Sequence, residues 1–201
     1  MKTIDDYNFE NKRALIRVDF NVPLNEDMEV TDANRIEAAK PTIIKILEDG
    51  GSVVLMSHLG RPKGKESKFS LQHITRKVSE VLEVEVKFVE DCVGEEVENA
   101  ASNLEPGEVL LLENLRFYEE EEANDDVFAA KLAKASGARY FVQDGFGVVH
   151  RAHASTDAIT NHIPSVAGLL IEREYQTITG AMELPARPLV AVLGGAKISD
   201  K

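Results

Sequence analysis

The chain has 201 residues, 43% of them hydrophobic, with a formal net charge of −12 at pH 7. That length carries one good-sized domain, or one domain plus part of another. The acidic balance argues against nucleic acid as a partner, no apolar run is long enough to span a membrane, and Met1-Lys2-Thr3-Ile4-Asp5-Asp6 lacks the apolar stretch of a secretion signal.

Two periodicities alternate along the chain. Ala14 to Phe20 reads as a short strand. Asp32 to Asp49 follows a helical pattern, with Ile36, Ile43, Ile44 and Leu47 on one side and Gly50-Gly51 as the stop. Pro41 inside it predicts a kink or two helical pieces. Ser52 to Met56 is the second strand, and Leu71 to Leu82 a helix. Val84 to Val89 is a third strand, with strict alternation, and Glu95 to Leu104 a helix ended by Pro106-Gly107. Cys92 lies between them, a lone thiol that forms no internal disulfide and suits a reducing compartment. Its acidic neighbours Glu90, Asp91, Glu95 and Glu96 predict a raised thiol pKa and an inert side chain. Val109 to Leu112 is a fourth strand, and Glu119-Glu120-Glu121-Glu122 reads most simply as a solvated loop. Asp125 to Ala135 is a helix with Val127, Phe128, Leu132 and Ala135 apolar, stopped by Gly137. Tyr140 to Val142 is a fifth strand. Helical stretches near Ser155–His162 and Val166–Met182 follow, then a last strand from Leu189 to Leu193.

This alternation predicts an α/β fold: a doubly wound, mostly parallel sheet with helices on both faces, a three-layer αβα sandwich. The apolar runs Val53–Met56 and Val109–Leu112 fit strands buried on both sides. The third strand ends in Glu90-Asp91, offers nothing cationic, and is placed at a sheet edge.

Ligands of such sheets bind beyond the carboxyl ends of the strands. The first strand leads into Asp19, Asn21 and Pro23, the second into Ser57, His58, Gly60, Arg61 and Pro62. The fourth leads into Glu113, Asn114 and Arg116, and the fifth into Asp144, Gly145, Gly147, His150, Arg151 and His153. Arg35 joins the same rim from a helix start. Arginine forks match phosphate and carboxylate in two-point contact. Their convergence on an acidic protein predicts a small, multiply charged anion, and a phosphorylated-metabolite site. Blander readings exist for each residue alone. A single arginine is ordinarily a surface ion-pair residue, and His58 alone a satisfied strand-end histidine. His150 and His153 have zinc-like spacing without a third ligand, so no metal is assigned. Gly145-Phe146-Gly147 lacks the third glycine of a dinucleotide fingerprint. Asp32 is placed to cap its helix, and Asp19 to do likewise for its loop. The terminal Val192–Lys201, VLGGAKISDK, looks like a strand end, a two-glycine turn and a helix start, an arrangement that commonly receives phosphate. It lacks the Walker pattern.

RVDFNVP, TDANRIEAAKPT, SHLGRPKG, ENLRF, DGFGVVHRAHAS and LGGAKISDK occur in this order, and together they resemble the phosphoglycerate kinase family over the whole chain. The resemblance implies two doubly wound domains joined by a helix and hinge. The first binds 3-phosphoglycerate or 1,3-bisphosphoglycerate and the second ADP or ATP with Mg2+, in reversible acyl-phosphate transfer of glycolysis. It implies that Asp19, Phe20 and Asn21 contact the glycerate hydroxyl and carboxylate region. It implies that Arg61, Arg116 and Arg151, with His58, Leu59 and Gly60, hold the 3-phosphate. Arg35 and Lys197 would then stabilise the transferring phosphoryl group, and Lys201 would reach a nucleotide phosphate. Gln143, Gly145 and Val148-Val149 depart from residues frequent in the family and are expected to adjust the loop before Arg151.

The resemblance further implies a substrate domain over 1–165, an interdomain helix and hinge over 166–187, and the first strand and loop of the nucleotide domain over 188–201. The chain then corresponds to about half of the family's length, and its last strand, unpaired, is expected to be disordered or to self-associate. The expectation is a chain that binds substrate without turnover, from a monomeric cytoplasmic kinase. A non-catalytic phosphometabolite module and an interaction scaffold are the rival readings. Lys197 argues against the first, and the intact arginine rim against the second.

Overall fold

The computed structural model of the chain describes residues 2–183, 185–190 and 192. One sheet has the order β3-β4-β2-β1-β5-β6, with all neighbours parallel. Its strands are β1 (Arg13–Arg17), β2 (Ser52–Met56), β3 (Val86–Phe88), β4 (Val109–Leu111), β5 (Tyr140–Gln143) and β6 (Ser165–Ala167). The helices are α1 (Asn34–Glu48), α2 (Gln72–Leu82), α3 (Glu95–Ser102), α4 (Glu119–Glu122), α5 (Asp126–Ser136) and α6 (Leu169–Glu183).

Alternation along each strand builds two cores. Ala14 and Ile16 of β1, Val53 and Leu55 of β2 and Val109 and Leu111 of β4 pack with Ile36, Ile43, Ile74 and Val78 of α1 and α2. Leu15, Val54 and Leu110 point the other way, onto Val97, Phe128 and Leu132 of α3 and α5. Because both faces are covered, the middles of the central strands are apolar, and all five residues of β2 are buried. Burying each such side chain fully is worth about 1.5–3 kcal/mol. The three-layer α/β/α architecture is the one the sequence pattern predicts, and β3 lies at an edge as expected.

The sheet also positions a site. From β1 the chain moves to β2 on one side, and after β4 it returns to β5 on the other side of β1. The strand order therefore reverses beside β1, where the loops at the carboxyl ends part and leave a crevice.

Several local expectations are corrected. Pro41 sits inside a single helix, α1, rather than between two pieces. Val166 does not begin a helix. Ser165–Ala167 forms β6, paired with β5, and helix α6 starts at Leu169. Those three residues lie between Pro164 and Gly168, too short a run to display alternation. The stretch near Ser155–His162 is helical only over Ala158–Asn161, as a 3-10 turn. Of the expected last strand, Leu189, Val190 and Val192 are exposed and carry no strand, while Ala191 and Leu193 lie outside the described residues. The run Glu119–Glu122 is not a solvated loop: it forms α4, and Glu121 is fully buried.

Candidate functional site

The loops after β1, β2, β4 and β5, with the first turn of α1, enclose a cleft of about 270 Å³. Asp19, Asn21, Arg35, His58, Gly60, Arg61, Arg116, Gly147, Val148 and Arg151 line it. The rim arginines expected from the sequence thus converge on one space. Phe20 and Leu59 do not reach it with their side chains, which are buried in the core. Neither residue lines the cleft, and their backbones instead tie the loops together. The Phe20 N–H donates to Ser57 Oγ (2.8 Å), and the Leu59 carbonyl accepts from Asn114 Nδ2 (2.8 Å). Lys197 and Lys201 lie outside the described residues.

A chain of hydrogen bonds shapes the cleft. Arg35 Nη1 donates to Asp19 Oδ2 at 2.6 Å, and Asp19 Oδ1 accepts the Asn21 N–H. Asn21 Oδ1 accepts the Gly60 N–H at 2.8 Å, and Arg116 Nη1 donates to the Gly60 carbonyl at 2.7 Å. Both backbone groups of Gly60 are therefore held from opposite sides. Its φ of +64° and the Phe69 ring, 2.5 Å from where a Cβ would stand, leave glycine as the residue that fits. At Gly147 a Cβ would run into Asp19 Oδ2, so a side chain there would have to displace the carboxylate that Arg35 holds. Asp32 does not cap α1 as expected: the cap position falls on Ala33, and Asp32 makes a local turn instead, accepting the Asn34 N–H at 2.8 Å.

The cations repel one another. Burial lowers the Arg116 pKa first, Glu122 counteracts it, and Arg151 and Arg61 lower it further. Arg116 Nε stands 3.3 Å from Glu122, and Arg35 is paired with Asp19. Arg61 and Arg151 are exposed and make no ion pair among the described residues. Such an arrangement gains most from an anion placed among the guanidinium groups.

His58 belongs to the rim by position but not by charge. Burial, then Arg17, Arg116, Arg35 and Arg151, push its pKa down to about 2. Its Nδ1 lies 3.3 Å from Arg17 Nη2, and a guanidinium can only donate. The imidazole is therefore neutral with its proton on Nε2, a donor rather than a member of a cationic patch.

Sequence reasoning missed the layer beneath the rim. Arg17, 1% exposed at the end of β1, donates through Nε to Ser155 Oγ at 2.8 Å and lies 3.9 Å from Glu121 Oε1. Glu121 Oε1 accepts the Ser155 hydroxyl at 2.6 Å, and Oε2 accepts the Ser155 N–H at 3.0 Å. His153 Nδ1 is 3.8 Å from the same carboxylate, and burial lowers its pKa. On the other flank, buried Glu113 accepts the Leu71 N–H (2.8 Å) and the Ser70 hydroxyl (2.7 Å). Asn114 donates to the Leu59 and Phe69 carbonyls, fixing the loop that carries Arg61. The signal available in sequence was Arg17 itself, a charge inside the apolar run Ala14–Phe20.

Cys92 is buried and its pKa is raised, mainly by burial and then by Asp91, Glu113 and Glu121. The inert thiol was expected from acidic neighbours, of which only Asp91 contributes. Among the described residues no group of three or more His, Cys, Asp or Glu is placed to hold a metal ion. His150 is exposed while His153 is buried.

Comparison with known proteins gives one family. The family model described as phosphoglycerate kinase matches residues 4–201. The chain is 55% identical to a phosphoglycerate kinase of Chlorobium phaeovibrioides, covering 100% of this chain and 50% of the relative. It is 54% identical to that of Moorella thermoacetica, covering 99% and 50%. The crystal structure of phosphoglycerate kinase from Pyrococcus horikoshii OT3 superposes with a TM-score of 0.90 at 34% identity, covering 100% of this chain and 50% of that one. The chain spans about half the length of the curated relatives it matches.

Proposed function

The chain belongs to the phosphoglycerate kinase family, and we propose that its cleft is the triose half of that family's site. It would bind 3-phosphoglycerate or 1,3-bisphosphoglycerate for reversible acyl-phosphate transfer: 1,3-bisphosphoglycerate + ADP = 3-phosphoglycerate + ATP. The observation that carries this reading is that Arg61 and Arg151, without an ion pair among the described residues, stand close enough to Arg116 to lower its pKa in a cleft that Asp19, Asn21 and Arg35 also line; we assign the first three to one end of the ligand and the last three to the other. A phosphate suits the first side. A carboxylate with a neighbouring hydroxyl suits the second, where Arg35 meets the acid end and Asp19 or Asn21 accepts from the hydroxyl.

The chemistry needs little beyond this. In the direction of ATP consumption, a carboxylate oxygen of 3-phosphoglycerate attacks the γ-phosphorus of ATP. A new O–P bond forms, the bond to the β-phosphate oxygen breaks, and ADP leaves with that electron pair. A carboxylate is already a nucleophile and needs no general base, so catalysis consists of holding two anions together and offsetting the charge that develops. Arg35 is the described residue assigned to that charge. Lys197 is assigned to the same phosphoryl group and Lys201 to the nucleotide, both by family resemblance. We assign Mg2+ with ADP or ATP mainly to the other half of the family's length. The division into a substrate domain, an interdomain helix and the start of a nucleotide domain belongs to the same reading, as do a monomeric state and a cytoplasmic location. This chain alone would bind substrate without turnover, and ATP-dependent phosphorylation of 3-phosphoglycerate by it would contradict that.

The two-sided assignment is tested by dividing the ligand. Glycerate lacks the phosphate and glycerol 3-phosphate lacks the carboxylate. Both should bind this chain more weakly than 3-phosphoglycerate. Equal affinity for all three would reject the assignment.

A further inference from the structure

The exposed Arg151 guanidinium has no side-chain partner of its own among the described residues, so its place in the cleft depends on what holds its segment. That segment leaves β5 through Gly145 and Gly147 and is tied down mainly from α4. The Glu121 carbonyl accepts the Ala154 N–H at 2.9 Å, and its carboxylate takes both the backbone N–H and the hydroxyl of Ser155. The same Ser155 hydroxyl oxygen accepts from Arg17 Nε, which joins the segment to the end of β1. Thr156 Oγ1 donates to the Arg151 carbonyl at 2.6 Å, carrying the attachment back to Arg151. The next residue of α4, Glu122, contacts Arg116. One short helix thus grips two members of the rim, one from below and one from outside. A buried carboxylate and guanidinium are expensive to desolvate and contribute little net stability, which favours a role in fixing geometry.

We propose that Glu121 is a positioning residue of the anion site: through Ser155 and Arg17 it clamps the segment bearing Arg151 to β1, and so sets where the Arg151 guanidinium stands relative to Arg61 and Arg116. The consequence for affinity rests on the phosphoglycerate reading above. The clamp itself does not.

The experiment uses the 201-residue chain with Glu121→Gln and Ser155→Ala, each alone and combined with Arg151→Ala. Amide hydrogen exchange reads the clamp without a ligand, and calorimetric titration with 3-phosphoglycerate reads its effect. In Glu121→Gln, exchange across residues 148–156 should rise at least roughly tenfold while β2 and β4 stay protected, with a smaller rise in Ser155→Ala. Affinity should fall roughly tenfold in Glu121→Gln, and most of that loss should vanish once Arg151 is already alanine, because residues acting through one another are non-additive. Ser155→Ala keeps the charge pair and carries the test if Glu121→Gln does not fold. Unchanged exchange across 148–156 in a folded variant would overturn the proposal. So would an affinity loss of the same size with and without Arg151. If the unmodified chain does not bind 3-phosphoglycerate, the phosphoglycerate reading fails, and the exchange measurement alone decides the clamp.

Discussion

Arg17 and Arg151 occupy the floor and the lip of the same cleft and do opposite work. Arg17 is 1% exposed and its donors are committed to Ser155, the Val18 carbonyl and His58. Arg151 is exposed and its charge is uncommitted among the described residues. The floor is a closed polar network that fixes distances, and the lip is a set of cations waiting for counter-charge. Residue type alone does not tell the two apart. What separates them is whether the protein already supplies the acceptors.

The largest effect should come from breaking the floor. Glu121→Ala leaves Arg17 buried beside no carboxylate, and about 3–5 kcal/mol of unfolding free energy should be lost in a urea titration. Adding Arg17→Met to Glu121→Leu should recover much of it, because removing both partners leaves no orphan charge. At the lip the pattern should invert. Arg61→Ala with Arg151→Ala should weaken 3-phosphoglycerate by on the order of 100-fold or more, since each charge-assisted bond is worth roughly 1.5–3 kcal/mol. Their effect on unfolding should stay within about 0.5 kcal/mol per site, as for other surface substitutions.

His58 sharpens the contrast through pH. Its folded pKa of about 2 lies below the ordinary 6.5, so the unfolded chain binds the extra proton between those values. Stability from this group is therefore full above pH 6.5 and is lost as pH falls toward 2. His58→Asn should flatten that part of the stability–pH profile. An unchanged slope would mean that His58 is not held neutral. A smaller effect is expected where the loop after β5 meets Asp19. Gly147→Ala drives a methyl group against Asp19 Oδ2 and should weaken binding several-fold, an effect of roughly 1 kcal/mol. The smallest signal should come from Cys92, which should stay unmodified by a thiol reagent until the chain unfolds.

The lip was legible in the sequence and the floor largely was not. Strand ends can be read from apolar runs, and the fold rule for parallel sheets then puts Arg61, Arg116 and Arg151 on one side of the molecule. Glu121 gave no such signal. It stands among three other glutamates, and only the tertiary meeting of α4 with Ser155 and Arg17 singles it out. His58 lines the cleft as the strand ends suggest, but its neutral state was not legible, because protonation depends on burial and on neighbours distant in sequence. Strand β6 escaped for a different reason. Three residues cannot display a period of two, and its identity comes from pairing with β5.

The central claim is that Arg61 and Arg151, which make no ion pair among the described residues, bind a phosphorylated three-carbon acid. A calorimetric titration of the 201-residue chain with 3-phosphoglycerate, beside the Arg61→Ala, Arg151→Ala double variant, tests it most directly. Saturable binding by the chain, abolished in a variant that unfolds at the same temperature, is the predicted result. A chain that unfolds cooperatively yet gives no heat of binding, or a double variant that binds as tightly as the parent, would contradict it.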